Sequence, residues 1–179
     1  MPCEFVAELG KLRKLSQESV DNADYFDSFK RYMHVERPVE QELRVLLRAV
    51  NNMSNKALVM LCGSAGDGKS HLIAYLKNSD DENLLSDYET YNDATESSAP
   101  TLTAMDTLAE KLSAFNDDNI LNPDGTKMII AINLGTLNNF IESDKGSNFK
   151  KLKEYVDKNH IFSNYGQQSG YIETCKLQE

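Results

Sequence analysis

A glycine-rich run at residues 63–70 contains the residue types that bind phosphate. Its sequence, GSAGDGKS, matches the pattern G-x-x-x-x-G-K-[ST] in full. Glycines let backbone N–H groups turn toward an anion, the lysine supplies a positive charge, and the terminal hydroxyl supplies an oxygen ligand for Mg²⁺. The predicted nucleotide-binding residues are Gly63, Ser64, Ala65, Gly66, Asp67, Gly68, Lys69, Ser70 and His71.

Within this run, two side chains receive chemical roles. The Lys69 ammonium is predicted to reach the β- and γ-phosphates as a point charge, and the Ser70 hydroxyl to ligate the Mg²⁺ that bridges them. Asp67 carries a carboxylate inside an anion cradle, so we expect its side chain to point outward to water. His71 follows Ser70 directly. For His71, a contact with nucleotide and a plain position on a helix face both stay open.

A P-loop enzyme also needs an acidic residue at the end of a neighbouring strand to hold Mg²⁺. The apolar run at 128–132 ends in Asn133, where an aspartate is expected. An asparagine can accept a hydrogen bond from metal-bound water, but it has no charge. Two interpretations of Asn133 follow. It is a catalytic sensor that touches the γ-phosphate or the attacking water, or the site binds nucleotide and hydrolyses it slowly.

A second polar cluster, NDATES at residues 92–97, follows a weak strand pattern. Because the carboxyl ends of parallel strands meet at one edge of a sheet, this cluster is predicted to face the cradle. Asp93 and Glu96 are its carboxylates and are our further catalytic candidates, for activating water or supporting the metal. The alternative is a solvated loop that includes a helix cap.

The elements that position these residues alternate between strand and helix patterns. Residues 57–62 (ALVMLC) and 128–132 (MIIAI) are uninterrupted apolar runs, typical of strands buried on both faces. A weak strand pattern covers 88–91, and helical patterns cover 71–77, 102–115 and 149–156, the second preceded by start signals at 97–100. This order predicts an α/β fold, a partial P-loop NTPase-type parallel sheet with helices on both faces.

Three segments are predicted along the chain. Residues 1–55 form a helical N-terminal segment that includes an amphipathic helix beginning near Pro38. Residues 56–162 form the nucleotide-binding core, and residues 163–179 form a polar tail. Since three strands are few for such a sheet, we expect the core to be incomplete and the chain to stop partway through a larger domain.

Composition and charge restrict the classes of function. The chain has 179 residues and a net charge of -9. Residues 78–126 contain 12 acidic residues and only one basic residue, a lysine. Such an acidic stretch is poorly suited to gripping DNA phosphates, so we interpret it as a solvated face with loops. The three cysteines form no CxxC pair, and no apolar run is long enough to span a bilayer. We therefore expect a cytoplasmic protein without a zinc site or membrane association.

Four segments together resemble a known family. The runs LCGSAGDGKSHLIAYLK, YNDATESSAPTLTAMDTL and AINLGTLNNF, preceded by HVERPVEQEL, are similar to the N-terminal P-loop region of the DptF family of bacterial DNA phosphorothioation-dependent restriction proteins. The resemblance covers residues 32–162 approximately. It implies an ATPase-like subunit that uses ATP and Mg²⁺, works with other subunits of a restriction complex, and meets DNA indirectly through that complex. An oligomer is compatible with this role.

The leading functional prediction is therefore an ATP-binding P-loop NTPase-like component of a DNA restriction system. The alternative is a nucleotide-binding scaffold or switch without turnover of its own, because Asn133 replaces an acid. A small-molecule kinase is a third reading, but no acceptor-binding signature supports it.

Overall fold

The computed structural model describes residues 31, 32, 34–79, 81–92, 103–122 and 124–162. The helical prediction for residues 1–30, the helix start signals at 97–100 and the polar tail at 163–179 lie outside this part of the chain, as do the candidates Asp93 and Glu96. Among the described residues, no helix combines the length and the apolar character needed to cross a membrane.

A three-stranded parallel sheet forms the centre of the fold. Its strands are β1 (Ala57–Gly63), β2 (Tyr88–Tyr91) and β3 (Lys127–Asn133), in the spatial order β1-β3-β2. β3 pairs with both neighbours, and at its carboxyl end Asn133 lies opposite Gly63. The predicted strands are confirmed, including the weak one, and Gly63 and Asn133 are brought to the same edge.

Both faces of the sheet are covered by helices, which confirms the predicted α/β class. Along β3, Met128, Ile130 and Ile132 belong to one apolar cluster, whereas Ile129 and Ala131 belong to the other. Adjacent side chains of a strand point to opposite faces, so an uninterrupted apolar run is what a strand between two helical layers requires.

Helices α1 (Pro38–Asn51) and α2 (Lys69–Ser79) cover one face. Proline at the first position of α1 costs no hydrogen bond, since its missing N–H would have no partner there. Leu43, Leu47 and Val50 of α1 pack in the same cluster as Leu72 and Leu76 of α2.

Helices α3 (Ala104–Lys111), α4 (Leu134–Glu142) and α5 (Lys150–Lys158) contribute to the other face, with 3-10 turns at Ser113–Phe115 and Asp144–Asn148. The sequence predicted a helix over residues 102–115, but the regular helix α3 covers only Ala104–Lys111. Thr103 caps it in a reciprocal capping box with Asp106. Hydrogen bonds from Lys145 and then Thr103 hold the pKa of Asp106 well below its usual range.

The sequence pattern did not predict α4, because its sequence LGTLNNFIE contains glycine and two asparagines, which are weak helix formers. Burial of Leu137, Phe140 and Ile141 against the sheet stabilises α4 despite this weak helix propensity. The first turn of α4 begins directly where β3 ends, so it lies at the edge that also carries the glycine-rich loop.

Several acids of the 78–126 stretch have structural partners. Asp117 accepts hydrogen bonds from the N–H groups of Lys150 and Lys151 at the start of α5, at 2.8 and 3.0 Å. Asp124 contacts Lys56 at 2.9 Å, and the hydrogen bond from that lysine lowers the pKa of Asp124 to about 2. The stretch is therefore more than a solvated face, because some of its carboxylates fix helix starts and loops.

Candidate phosphate-binding site

The glycine-rich loop connects β1 to α2 at the carboxyl edge of the sheet. Gly66 and Gly68 have φ angles of 85° and 75°. Side chains with a Cβ rarely adopt this left-handed region, so the loop needs glycine at both positions. Lys69 and Ser70 then form the first turn of α2. The motif is thus placed between strand and helix, as its sequence predicted.

The Asp67 carboxylate folds back across the loop. Its Oδ2 accepts a hydrogen bond from the Ser64 backbone N–H at 2.5 Å, and a Cβ added to Gly63 would lie 2.6 Å from the same oxygen. Asp67 is exposed, as expected, but its carboxylate turns back to the Ser64 N–H instead of pointing away from the loop. The physical reason is the turn itself, which places an N–H donor within reach of the carboxylate three residues later.

The Lys69 side chain lies along the same loop. Its Nζ donates to the Ser64 carbonyl oxygen at 2.5 Å, so the ammonium is held beside the loop backbone. The same carbonyl also accepts from the Asp67 N–H at 3.3 Å. Ser64 thus joins the two charged groups of the loop through its backbone, with its N–H on the carboxylate and its carbonyl on the ammonium.

The start of α2 supplies further donors. The first backbone bond of the helix runs from the Leu72 N–H to the Gly68 carbonyl, at 3.0 Å. The N–H groups of Lys69, Ser70 and His71 therefore precede the helical ladder, where donors have no carbonyl partner within the helix. Together with the helix dipole, they favour an anion at this end.

Ser70 joins the loop to the end of β2. Its Oγ donates to the backbone carbonyl of Asn92 at 3.0 Å. The Oδ1 atom of Asn92 is buried and has no hydrogen-bond partner among the residues that the structure describes. Buried acceptors are usually satisfied, so this oxygen is suited to a donor such as a metal-bound water. The prediction that the polar cluster after β2 faces the cradle is confirmed for Asn92, whereas Asp93 and Glu96 lie outside the described residues.

Asn133 caps a helix. Its Oδ1 accepts from the Thr136 N–H at 2.7 Å, which fixes the start of α4. This contact engages the oxygen predicted to accept from metal-bound water and leaves the amide NH₂ as the group that can donate to a ligand. The predicted sensor role, a contact with the γ-phosphate, stays compatible with that donor.

A cleft of about 570 Å³ opens between the first half of the loop and α4. Its lining combines backbone of the loop, polar amides and one aromatic ring: Gly63, Ser64, Ala65, Asn133, Leu134, Gly135, Asn138 and Phe162. The sequence did not indicate Asn138 or Phe162, because both become neighbours of the loop only through the packing of α4 and of the chain after α5.

The side chain of His71 contacts His34. Its Nε2 lies 3.2 Å from Nδ1 of His34, whose ring also stacks on Tyr75 with a centroid distance of 3.5 Å. Nε2 of His34 donates to Glu40 at 2.8 Å. The structure therefore supports the helix-face reading of the His71 side chain, and only its backbone N–H lies at the start of α2.

Arg37 contacts the back of the loop, which the sequence pattern does not indicate. Its Nη1 donates to the Asp67 carbonyl at 2.6 Å, and its Nη2 lies 3.4 Å from the Gly68 carbonyl. The nearest signal in the sequence is an arginine before Pro38 at the start of an amphipathic helix, which says nothing about a loop 30 residues later.

Cys62, near the end of β1, carries a thiol whose pKa is changed by burial. The Cys62 thiol has its pKa raised to about 12, because burial disfavours the thiolate and the Lys69 ammonium offsets this only in part. At neutral pH, Cys62 is therefore a protonated, apolar neighbour of the cradle.

The arrangement can bind a phosphate chain through backbone N–H groups, an ammonium and a helix start. Ser70 Oγ and Asn92 Oδ1 are two oxygen groups that the described residues offer to a divalent cation and its water shell. Within the described ranges, no cluster of three or more His, Cys, Asp or Glu side chains could hold a metal ion. No protein-family model matches the chain, and no match was found among curated proteins or solved structures.

Proposed function

We propose that this chain binds ATP with Mg²⁺ at the loop of residues 63–70. The observation that carries the proposal is the conformation of this loop. Two left-handed glycines, Gly66 and Gly68, turn the backbone so that Lys69 and the first-turn N–H groups of α2 lie at the carboxyl edge of a parallel sheet. Open α/β sheets bind their ligands at this edge.

Charge supports a polyphosphate as the ligand. The loop offers an ammonium, a helix N-terminus and, behind it, the Arg37 guanidinium. The Asp67 carboxylate opposes these groups, and its hydrogen bond from the Ser64 N–H satisfies one of its oxygens within the loop. Mg²⁺ would neutralise phosphate charge further and would be held by Ser70, with Asn92 Oδ1 accepting from a water of its shell.

At the biological level, we propose a subunit of a bacterial phosphorothioation-dependent DNA restriction system. The resemblance of the GDGKSH and NDATES segments to the DptF family supports this role. In such a role, the chain works in the cytoplasm with other subunits, and DNA reaches it through those subunits. The acidic composition is consistent with an indirect contact, since DNA binding by this chain alone would require clustered basic residues.

A second candidate function is a nucleotide-dependent switch without turnover. The specific observation is Asn133, an uncharged residue at the end of the strand next to β1, whose oxygen is already bonded to Thr136. Without a carboxylate there, Mg²⁺ and the attacking water are held less tightly, and binding can persist without rapid hydrolysis.

The test measures ATP binding and hydrolysis on the 179-residue chain, comparing Lys69→Ala with Lys77→Ala. Lys77 lies in the last turn of the same helix and donates to Thr90 at 3.3 Å, so its loss removes a lysine from α2 but not from the loop. A charged hydrogen bond contributes about 1.5–3 kcal/mol, so Lys69→Ala should weaken ATP binding roughly 10- to 100-fold.

Equal ATP affinity in the parent and in Lys69→Ala would refute the proposal. Binding with turnover, both lost in Lys69→Ala and retained in Lys77→Ala, supports the ATPase. Binding without turnover supports the switch.

A further inference from the structure

The guanidinium of Arg37 touches two carbonyls in the second half of the glycine-rich loop. Nη1 donates to the Asp67 carbonyl at 2.6 Å, and Nη2 lies 3.4 Å from the Gly68 carbonyl. A Cβ at Gly68 would lie 3.1 Å from Nη2, so the side chain is packed against the loop backbone as well as bonded to it. Arg37 itself is half-buried.

The contact with Arg37 also fixes the direction of the N–H groups that belong to the same two peptides. In a planar trans peptide, the C=O and the following N–H point in opposite directions. The Asp67 carbonyl shares its peptide with the Gly68 N–H, and the Gly68 carbonyl shares its peptide with the Lys69 N–H. A cation that holds both carbonyls on one side therefore directs both N–H groups to the other side.

The chain before α1 aims this side chain. Arg37 has φ −124° and ψ 154°, and Pro38 is the first residue of α1. A proline disfavours the helical region for the residue before it, so Arg37 is held in extended backbone. Because α1 is anchored through Leu43, Leu47 and Val50, the guanidinium starts from a fixed position.

We propose that Arg37 is a positioning residue for polyphosphate binding. It holds the carbonyls of Asp67 and Gly68 behind the loop, and it thereby orients the N–H groups of Gly68 and Lys69 toward the phosphate chain of the nucleotide. This inference rests on the proposed function of the loop. Arg37 acts through the backbone, because its contacts are with the Asp67 and Gly68 carbonyl oxygens.

The substitutions for the test are Arg37→Gln and Arg37→Lys. Arg48→Gln is the matched control, since Arg48 pairs with Glu82 at 2.6 Å on the exposed side of α1, away from the loop. The measurements are the affinity for ATP and for inorganic tripolyphosphate by calorimetry, the melting temperature, and the amide ¹H–¹⁵N shifts of Gly68 and Lys69 without ligand.

We expect Arg37→Gln to weaken binding of both ligands about tenfold, the usual effect of losing a hydrogen bond that involves a charged group. The Gly68 and Lys69 amides should shift, because their peptides lose the cation. Arg37→Lys should recover part of the affinity, since an ammonium can retain one carbonyl. Arg48→Gln should change neither the affinity nor these two amides.

The outcomes separate the two proposals. If the parent binds both ligands and Arg37→Gln binds them equally well, the inference about Arg37 is overturned while the nucleotide site stands. Weaker binding with unmoved Gly68 and Lys69 amides also overturns it. If Arg37→Gln does not fold, Arg37→Lys decides in the same way, and a Lys variant that also fails to fold assigns Arg37 to stability alone. If the parent binds neither ligand, both proposals fail.

Discussion

The hydroxyl of Ser70 donates a 3.0 Å hydrogen bond to the backbone carbonyl of Asn92. This bond links the first turn of α2 to the end of β2, although β3 separates β2 from the strand that leads into the loop. It places the hydroxyl against the backbone of a residue whose side-chain oxygen, Asn92 Oδ1, is buried. Both are oxygen groups of the kind that Mg²⁺ and its water shell use.

Replacing Ser70 by alanine should reduce the effect of Mg²⁺ on ATP affinity. The variant loses the oxygen proposed to ligate the metal, so we expect the gain in ATP affinity on adding Mg²⁺ to fall by about tenfold or more, the loss of one charge-assisted contact. Calorimetry with and without Mg²⁺ measures this gain. Ser86→Ala, an exposed serine in the turn before β2, is the control. An unchanged Mg²⁺ dependence in Ser70→Ala would remove Ser70 from the metal site.

Asn133 should be replaceable by aspartate but not by alanine without loss of stability. Its Oδ1 caps α4 through the Thr136 N–H at 2.7 Å. Alanine removes the cap and should lower the free energy of unfolding by about 1 kcal/mol, whereas aspartate caps helices equally well. Urea unfolding of the two variants measures the difference. Equal stability of the alanine variant and the parent would contradict the capping role.

The Asn133→Asp variant also tests the second candidate function, in which ATP turnover is slow because Asn133 replaces an acid. Asn133→Asp supplies a carboxylate beside Gly63, so we expect ATP binding to become more dependent on Mg²⁺. A variant with the parent's Mg²⁺ dependence would show that the missing charge at this position is not what limits the metal.

Loss of the Glu40 carboxylate should destabilise the chain more than loss of the Glu82 carboxylate. Glu40 is 3% exposed and bonds both His34 and Arg44, whereas the exposed Glu82 pairs with Arg48. Breaking a buried ion pair costs about 3–5 kcal/mol, and an exposed pair contributes roughly 0–1 kcal/mol. Because Arg44 is partly exposed, we expect the lower end of that range for Glu40→Ala. Chemical denaturation of Glu40→Ala and Glu82→Ala in parallel provides the comparison, and similar losses would contradict it.

The Cys62 thiol should be unreactive in the folded chain. Burial raises the pKa of Cys62 to about 12, so far less of this thiol is thiolate at pH 8 than the roughly one quarter of an ordinary thiol. In a Cys3→Ser, Cys175→Ser variant, an aromatic disulfide reagent should modify Cys62 only after denaturant is added. Fast modification of the native variant would contradict the burial.

The raised pKa of Cys62 also predicts that the folded chain loses stability at alkaline pH. The folded-state pKa of Cys62 is raised above its unfolded value, so its contribution to stability is complete below about pH 8.5 and is lost as the pH rises toward 12. Cys62→Ala, measured by thermal unfolding at pH 8 and pH 10.5, should therefore lose less stability between these values than a chain that retains Cys62. An equal loss in both chains would argue against this linkage.

The sequence by itself determined the features that depend on local spacing. The loop motif specifies its own turn, because the positions of its glycines fix where the backbone can enter the left-handed region. Uninterrupted apolar runs predicted β1 and β3, and the amphipathic pattern beginning near Pro38 predicted α1, because the periodicity of burial follows directly from element geometry.

The tertiary structure decided the contacts between residues far apart in the chain. Arg37 meets the loop 30 residues later, Ser70 meets Asn92, and the weak helix former LGTLNNFIE becomes α4 because it packs on the sheet. Even at short range, the sequence pattern did not predict the direction of the Asp67 carboxylate, because its hydrogen bond from the Ser64 N–H exists only once the loop has closed. Side-chain direction depends on donors and apolar surfaces that the fold brings close, and no sequence periodicity encodes those neighbours.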